Sequence, residues 1–272
     1  MSSFVIKLIA IFTMVIDHSN YFFIKNIILN FIGRIAFPLF AYQVVVGYSK
    51  TKSLKKYVFR MFIFALISQI PFYLFIKAIG GDFAINVIAT LTLGLVIMYI
   101  YDLKIENKNN RLVIIDKNDN NLLKNIEISS DKILCVFFNF IKIILIIVIL
   151  VFSEILKVDY EWWGVLLILF IKVCYPFDDS IDILGKNVEI NSILNKFIFT
   201  TGMLLLCIIR YLKYIPKVKL SYIILYIIFT FVPTIIMLLH NGKKGKSMKY
   251  FFYIFYPVQF AVLLIINYIV HS

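Results

Sequence analysis

A carboxylic acid and a histidine stand side by side within an apolar stretch near the start of the chain. Asp17 and His18 follow Ile16 in a segment made mostly of hydrophobic residues. Ionisable side chains in such a setting are costly when they face lipid, so they usually mark a functional site. Histidine suits general-base catalysis near neutral pH, and a carboxylate stabilises an imidazolium. The pair predicts a proton-transfer site, unless the helix ends here and both groups only meet lipid headgroups.

The spacing of the polar residues around this pair predicts where they point. Neighbouring residues on an α-helix are about 100° apart, so we do not expect Asp17 and His18 to bond each other. Thr13, Asp17 and Asn20 share one helix face, and His18 begins the next. The resulting polar wedge must face other helices or a cavity.

A basic residue lies in the next apolar stretch, where Arg34 precedes Pro38 by four residues. Proline cannot donate to the carbonyl four residues back, so the pattern predicts a helix break at Arg34. A guanidinium beside a freed carbonyl suits a diphosphate or a carboxylate, because its donors form a planar fork. The alternative is that Arg34 extends to the membrane surface and contacts only headgroups.

Polar residues in the third and fourth apolar stretches are candidates for stabilising a reacting group. Ser68 and Gln69 precede Pro71, and Asn86 opens the fourth stretch. Such groups stabilise an oxyanion in a water-poor site. The alternative for Ser68 and Gln69 is a proline kink with polar helix packing. Thr90 and Gly94 have the spacing of small residues that allows two helices to approach closely, and for them we predict packing.

The composition shows what kind of protein must position these groups. Of 272 residues, 62% are hydrophobic and 16% are charged. A soluble domain is about half apolar and a quarter charged, so a soluble enzyme is excluded and lipid must solvate the surface. The net charge of +13 comes from bases between apolar stretches, which orient membrane spans, and we predict no nucleic-acid partner. The three cysteines lack metal-ligand spacing, and we predict no metal site and no disulfide framework.

About nine apolar stretches are long enough to cross a hydrocarbon core of about 30 Å. We predict an all-α, polytopic membrane helical bundle with proline-kinked helices, formed as a single domain over 1–272. A polar insert at 102–132 is expected to be a cytoplasmic loop with a small hairpin. The sixth stretch is short, so it is either a span or a re-entrant segment. The stretches are 4–24, 28–48, 58–76, 83–101, 133–156, 162–177, 196–212, 220–239 and 250–270.

Basic residues between the stretches predict the orientation. Lysine and arginine are concentrated in 49–60 and 241–249, which are therefore expected in the cytoplasm, with the N-terminus inside. The expected location is the cytoplasmic (inner) membrane of a bacterium. One conflict remains, because nine simple spans place the basic stretch 210–219 outside.

Several motifs together resemble the TraX family of integral membrane proteins, named for the pilin N-acetylase of conjugation systems. The resemblance covers the chain apart from 102–132 and 178–220. The sequence departs from the family at Lys50 and Lys52, where members often have His and Arg, and at Gln259, where many have His. The matching residues are 16–18, 32–40, Gly47, Thr51, 55–60, 64–65, 68–72, Asn86, Gly94, 159–160, 164–166, 241–243, 249–250 and 256–257.

The resemblance implies a member of the wider superfamily of membrane acyltransferases, with His18 as the reactive base and Asp17 as its partner. Acetyl from cytosolic acetyl-CoA would pass to the N-terminus of a peptide or pilin, to a glycan or to a small peptide, directly or through an acetylated histidine. Residues expected at the phosphates of the cofactor are Arg34, Arg60, Lys55, Lys56, Lys243 and Lys244. Residues expected to stabilise the oxyanion or position the substrate are Ser68, Gln69, Asn86, Asp159, Tyr160, Asn241, Tyr256 and Gln259, the last by hydrogen bonding only.

Three alternatives stay open from the sequence. Broken helices with polar groups at mid-depth are also typical of secondary transporters. A pilus or peptide-export assembly factor would need no chemistry at all. The loop 240–246 is either a phosphate-binding turn or a simple basic turn.

For acetyl transfer, His18 is expected in the outer half of the membrane, so acetyl-CoA must reach it through a tunnel between the first four spans.

Overall fold

The computed structural model describes most of the chain and shows a bundle of helices. The described residues are 1–108, 111–116, 119–126, 132–177, 180–183, 186–189, 191–212, 214–246 and 249–271. Their helices are α1 (Ser3–Ser19), continued by a π-helical turn (Asn20–Ile24), α2 (Ile27–Gly33), α3 (Ala36–Lys50), α4 (Leu54–Ala78), α5 (Val87–Asp102), α6 (Lys132–Ile155), α7 (Glu161–Cys174), α8 (Ser192–Leu212), α9 (Leu220–Leu238) and α10 (Lys249–His271).

Five short strands among the described residues form two antiparallel sheets between helices. The first sheet has the order β1-β2-β3 and the second pairs β4 with β5. The predicted hairpin is confirmed by the pairing of β2 with β3, in which Leu112 faces Ile126. The strands are β1 (Lys104–Lys108), β2 (Arg111–Asp116), β3 (Asp119–Ile126), β4 (Ser180–Ile183) and β5 (Lys186–Glu189).

The helices confirm an all-α polytopic membrane bundle. In the described part of the chain, seven helical segments are long and apolar enough to cross a bilayer. α5 and α7 are shorter, with 16 and 14 residues. The two helices run side by side. Near the start of α5, Thr90 donates to the Asp159 carbonyl, and at its end Asp102 Oδ1 lies 2.9 Å from Lys172 Nζ on α7. The sixth apolar stretch therefore forms one helix that packs along α5.

The second span is broken where the proline pattern predicts it. α2 ends at Gly33 and α3 begins at Ala36, so Arg34 and Ile35 lie between two helices. Their backbone N–H groups donate to carbonyls three residues back, at 3.0 and 3.1 Å. Pro38 falls in the first turn of α3, where its missing N–H costs no helical hydrogen bond.

The basic segments predicted to be cytoplasmic lie at one end of the bundle. Ser3 N donates to the Lys243 carbonyl at 2.9 Å, and Lys50 Nζ donates to the Gly242 carbonyl at 2.7 Å. The basic segment 214–219 lies at the other end of α9, about 28 Å away by helical rise. Lysines therefore occur at both ends of this span.

Small residues allow α5, α7 and α3 to pack closely, as predicted for Thr90 and Gly94. A Cβ atom on Gly94 would lie 2.4 Å from Ile168 Cδ1 on α7. A Cβ atom on Gly164 would lie 2.8 Å from Phe37 Cζ and 2.9 Å from Thr90 Cγ2. These contacts confirm the packing interpretation of the Thr90 and Gly94 spacing.

Gly94→Ala is expected to destabilise the protein by about 1–3 kcal/mol, because the new methyl group overlaps Ile168. Thermal unfolding of the purified protein in detergent measures the change. Ile168→Val in the same chain should recover part of the loss, because it removes the atom that would clash. Strictly additive effects of the two substitutions would contradict this contact.

Candidate active site between two cavities

An ion pair joins the first two spans in the interior of the bundle. Arg34 Nη2 donates to Asp17 Oδ2 at 3.2 Å and to Oδ1 at 3.4 Å, while Arg34 Nε donates to the Asn30 carbonyl at 3.1 Å. Asp17 is 8% exposed. Arg34 therefore points into the bundle and binds a protein carboxylate, one of the two partners that the sequence suggested, instead of extending to the headgroups.

Gly33 makes this ion pair possible. A Cβ atom at Gly33 would lie 2.3 Å from Asp17 Cγ and 2.5 Å from Oδ1. Because the carboxylate occupies the space beside the Gly33 backbone, any side chain there would displace it. Gly33 belongs to the motif that carries the family resemblance, but its contact with Asp17 depends on how α1 and α2 meet.

His18 forms its hydrogen bond with the last helix instead of with Asp17. The Gln259 amide N–H donates to His18 Nδ1 at 2.8 Å, and the His18 ring packs against Phe75 at 5.4 Å and Phe260 at 4.6 Å between centroids. Gln259 Oε1 has no partner among the described residues. A half-turn of the amide exchanges its donor and acceptor, so Gln259 can hold either neutral tautomer of His18.

The predicted pair Asp159 and Tyr160 forms a strained turn beside the ion pair. Tyr160 has φ of 66°, and its ring stacks on Phe37 at 3.8 Å. Arg210 Nη1 donates to the Tyr160 carbonyl at 3.3 Å. Both Asp159 and Tyr160 lie within electrostatic range of Arg34. Positive φ is costly for a residue with a side chain, and such strain is concentrated at functional sites.

Tyr256 extends this polar cluster to α10. It lies within electrostatic range of Asp159 and Tyr160 and is 6% exposed. The structure therefore brings together five of the predicted site residues: Asp17, Arg34, Asp159, Tyr160 and Tyr256.

Gln69 and Asn86 bind each other and the backbone. Asn86 Nδ2 donates to the Ala65 carbonyl at 2.7 Å and to Gln69 Oε1 at 2.8 Å, while Asn86 Oδ1 caps α5 by accepting from Ile88 N at 3.0 Å. Gln69 Nε2 donates to the Ala84 carbonyl at 3.0 Å. Both amides are occupied within the protein, so this geometry gives them a capping role. Ser68 Oγ, in contrast, is buried without a partner among the described residues.

An inner cavity of about 260 Å³ opens beside the basic end of the bundle. Lys7, Lys244 and Lys246 line it at this end, and Met14 and Tyr256 line it at the other. Its walls come from α1, α3, α4 and α5, the first four predicted spans, together with α10 and the loop 239–246. The cavity lies between the spans where the sequence predicts a tunnel, but His18 is not in its wall. Phe260 contacts both the His18 ring and the Tyr256 ring, at 4.6 and 5.0 Å.

The loop at the mouth of this cavity is fixed by His240. The ring forms two hydrogen bonds, one between Nε2 and Ser3 Oγ at 2.9 Å and one between Nδ1 and the Tyr42 hydroxyl at 2.7 Å. Burial lowers the pKa of His240 below its usual value, and Lys50 lowers it further. His240 therefore stays neutral near pH 7, and the positive charge at the mouth comes from lysines. Asn241 is structural here, since its Oδ1 accepts from Lys243 N at 3.1 Å.

The predicted cofactor-binding residues are only partly brought together. Lys244 lines the inner cavity, whereas Arg34 is paired with Asp17. Arg60 lies over the ring of Tyr57, a wall residue, at 5.8 Å. Lys55, Lys56 and Lys243 are not among the residues that line it. Lys246 also lines the cavity and lies in the loop 240–246, which the sequence offered as a phosphate-binding turn. Sequence reasoning missed Lys7, for which the available signal was a positive charge within the first span.

A second, outer cavity of about 550 Å³ lies at the opposite end of the same helices. Asn20, Asn30 and Asn267 contribute carboxamides to its lining, with Tyr21 and Lys25 beside them. Along α1, α4 and α10, residues that line the inner cavity come first. Each helix then contributes one ring to the cluster of His18, Phe75 and Phe260, and residues that line the outer cavity come last. His18 lies between the two cavities, with the Asp17–Arg34 pair beside it.

Comparison with known proteins agrees with this arrangement of motifs. The family described as "TraX protein" matches residues 2–267 of the chain. The chain belongs to the TraX family. It is also 26% identical to the probable fimbrial assembly protein FimC, serogroup H1, of Dichelobacter nodosus, over 96% of this chain and 94% of that protein. No solved structure matches the chain.

Gly33→Ala is expected to destabilise the protein by about 1–3 kcal/mol, because the added methyl group must displace the Asp17 carboxylate. Thermal unfolding in detergent measures the loss. Gly81→Ala is the matched control: its Cβ would come no nearer than 3.1 Å to a neighbouring side chain. Equal, small effects of the two substitutions would show that Gly33 does not make room for the ion pair.

Proposed function

We propose that this TraX protein is a membrane acetyltransferase that uses acetyl-CoA from the basic side of the bundle. The inner cavity is the observation that carries the proposal. Its lysine-lined mouth suits the diphosphate and the 3′-phosphate of the cofactor, and its apolar shaft suits the slender arm that ends in the thioester. Lys7 and Lys244 lie within electrostatic range of each other, and an anion between them would relieve their repulsion.

The chemistry of this proposal needs one base near the end of the cavity. The acceptor amine or hydroxyl attacks the thioester carbonyl, the carbon–sulfur bond breaks, and the CoA thiolate takes the electron pair. His18 takes the acceptor proton and returns it to the thiolate. With Gln259 Oε1 accepting from Nδ1–H, Nε2 keeps a free lone pair for this step. Arg34 holds Asp17 in place beside the base, and Tyr256 supplies a hydroxyl at the end of the cavity.

The position of His18 suggests how the two substrates would meet. The thioester would arrive through the inner cavity and the acceptor through the outer one, whose lining includes Asn30, Asn267 and Lys25. Phe260 contacts both the base and Tyr256, so it links the end of the inner cavity to His18.

The name of the relative supports one class of acceptor. The D. nodosus protein is named as a probable fimbrial assembly protein, which supports a pilus-related role and a peptide or pilin N-terminus as the acceptor here. A small peptide would present the same amine nucleophile, and a glycan would present a hydroxyl. The same name supports a second candidate function, a pilus assembly factor without catalysis, and the two differ in what they require of His18.

His18→Ala is expected to lower acetyl transfer at least 100-fold, because the acceptor loses its general base. The assay follows release of the CoA thiol from acetyl-CoA in the presence of a synthetic peptide with a free N-terminal amine. Unchanged acetyl-CoA binding by the variant serves as the fold control. Full transfer activity in His18→Ala would contradict the mechanism, and wild-type protein without any transfer would favour the assembly factor.

Lys244→Glu is expected to raise the KM for acetyl-CoA about tenfold, equivalent to about 1.4 kcal/mol, with kcat little changed. Reversing the charge at the mouth repels the phosphates but leaves His18 untouched. The increase should shrink at high ionic strength, because salt screens exposed charges. Lys217→Glu, the same charge change at the opposite end of α9, is the control. An equal effect of both substitutions would show that the mouth does not bind the cofactor.

A further inference from the structure

A buried glutamine in the wall of the inner cavity has a donor with no partner. Gln43 lies on α3, is 7% exposed and lines the cavity. Its Nε2 has no hydrogen-bond partner among the described residues. Buried amide donors are nearly always paired, and leaving one unpaired costs free energy. No prediction from the sequence singled out this residue.

The depth of Gln43 places it between the two ends of the cavity. It lies seven residues before Lys50 on α3, about 10 Å by helical rise, and Lys50 contacts the mouth loop at the Gly242 carbonyl. Its neighbours in the wall on the same helix are Phe40 and Val44, which offer no side-chain acceptor. A ligand that fills the cavity would therefore pass this amide about 10 Å beyond the mouth.

We propose that the buried amide of Gln43 turns into the filled cavity, where Nε2 donates to an amide carbonyl of the pantetheine arm and so selects a ligand that carries an amide at this depth. The inference rests on the proposed function, since it deepens the cofactor site. The arm of CoA has two amide groups between its diphosphate and its thiol. A hydrocarbon chain of an anionic lipid would also fit a basic mouth and an apolar shaft, but it would leave the Gln43 donor unpaired. The unpaired amide thus favours CoA over a lipid tail.

Gln43→Leu separates a ligand-binding role from a structural one, because the two predict opposite changes. Leucine removes the unpaired donor and keeps an apolar volume of similar size. The protein without ligand should therefore be as stable as the wild type or more stable. Binding of CoA should weaken roughly fivefold to tenfold, the loss expected for one hydrogen bond. A glutamine that only supports the fold would lower the melting temperature when replaced.

The experiment measures the melting temperature and the Kd of the full chain in nanodiscs with two probes. The first is CoA, and the second is adenosine 3′-phosphate 5′-diphosphate, which has the phosphates but lacks the arm. Gln43→Leu should weaken binding of CoA and leave binding of the nucleotide unchanged. Thr234→Val is the matched control, because Thr234 Oγ1 is also buried without a partner but does not line the cavity. It should change neither Kd.

The outcomes keep this inference distinct from the proposed function. If wild-type protein and Gln43→Leu bind CoA equally tightly, the role of Gln43 is overturned and the proposed function is not. Equal weakening of both probes, or a clear fall in melting temperature, would also overturn it, since the effect would then not come from the arm. Wild-type protein that binds neither probe would overturn the proposed function and this inference with it.

Discussion

The low polarity of the membrane interior makes the Asp17–Arg34 ion pair the interaction on which the site depends. Each charge alone would be costly among apolar helices, so the two spans that carry them must meet. They meet because the second span breaks at Arg34 and because Gly33 has no side chain where the carboxylate lies. Sequence order, helix break and close packing thus combine to place one acid and one base inside the bundle.

The ion pair also determines which side chain His18 can bind. With Asp17 turned towards Arg34, His18 on the adjacent helix face points to α10, where Gln259 holds Nδ1. The carboxylate is thus not free to bond the imidazole, and a neutral amide takes that place. A neutral partner leaves the histidine free to hold its proton on either nitrogen, which suits a group that must take up and release a proton in one cycle.

Some buried polar groups have no partner among the described residues, whereas others are fully paired. Ser68 Oγ, Gln43 Nε2 and Gln259 Oε1 are buried and unpaired in the described part of the chain, and Gln43 lines a cavity. Gln69 and Asn86 show the opposite pattern, since their amides are fully used at the start of α5. Residue type alone does not distinguish the two groups, because both consist of ordinary hydroxyls and amides in apolar helices.

The sequence by itself determined that the chain spans a membrane and that Asp17, His18 and Arg34 do not belong in lipid, because composition and the cost of burying charge do not depend on tertiary contacts. It also determined the helix break, because the missing N–H of Pro38 acts locally. Only the tertiary structure decided the partners: Arg34 for Asp17, Gln259 for His18 from 241 positions away, and the cavity beside Lys7 and Gln43. Such contacts depend on the rotation and register of whole helices, which local periodicity does not fix.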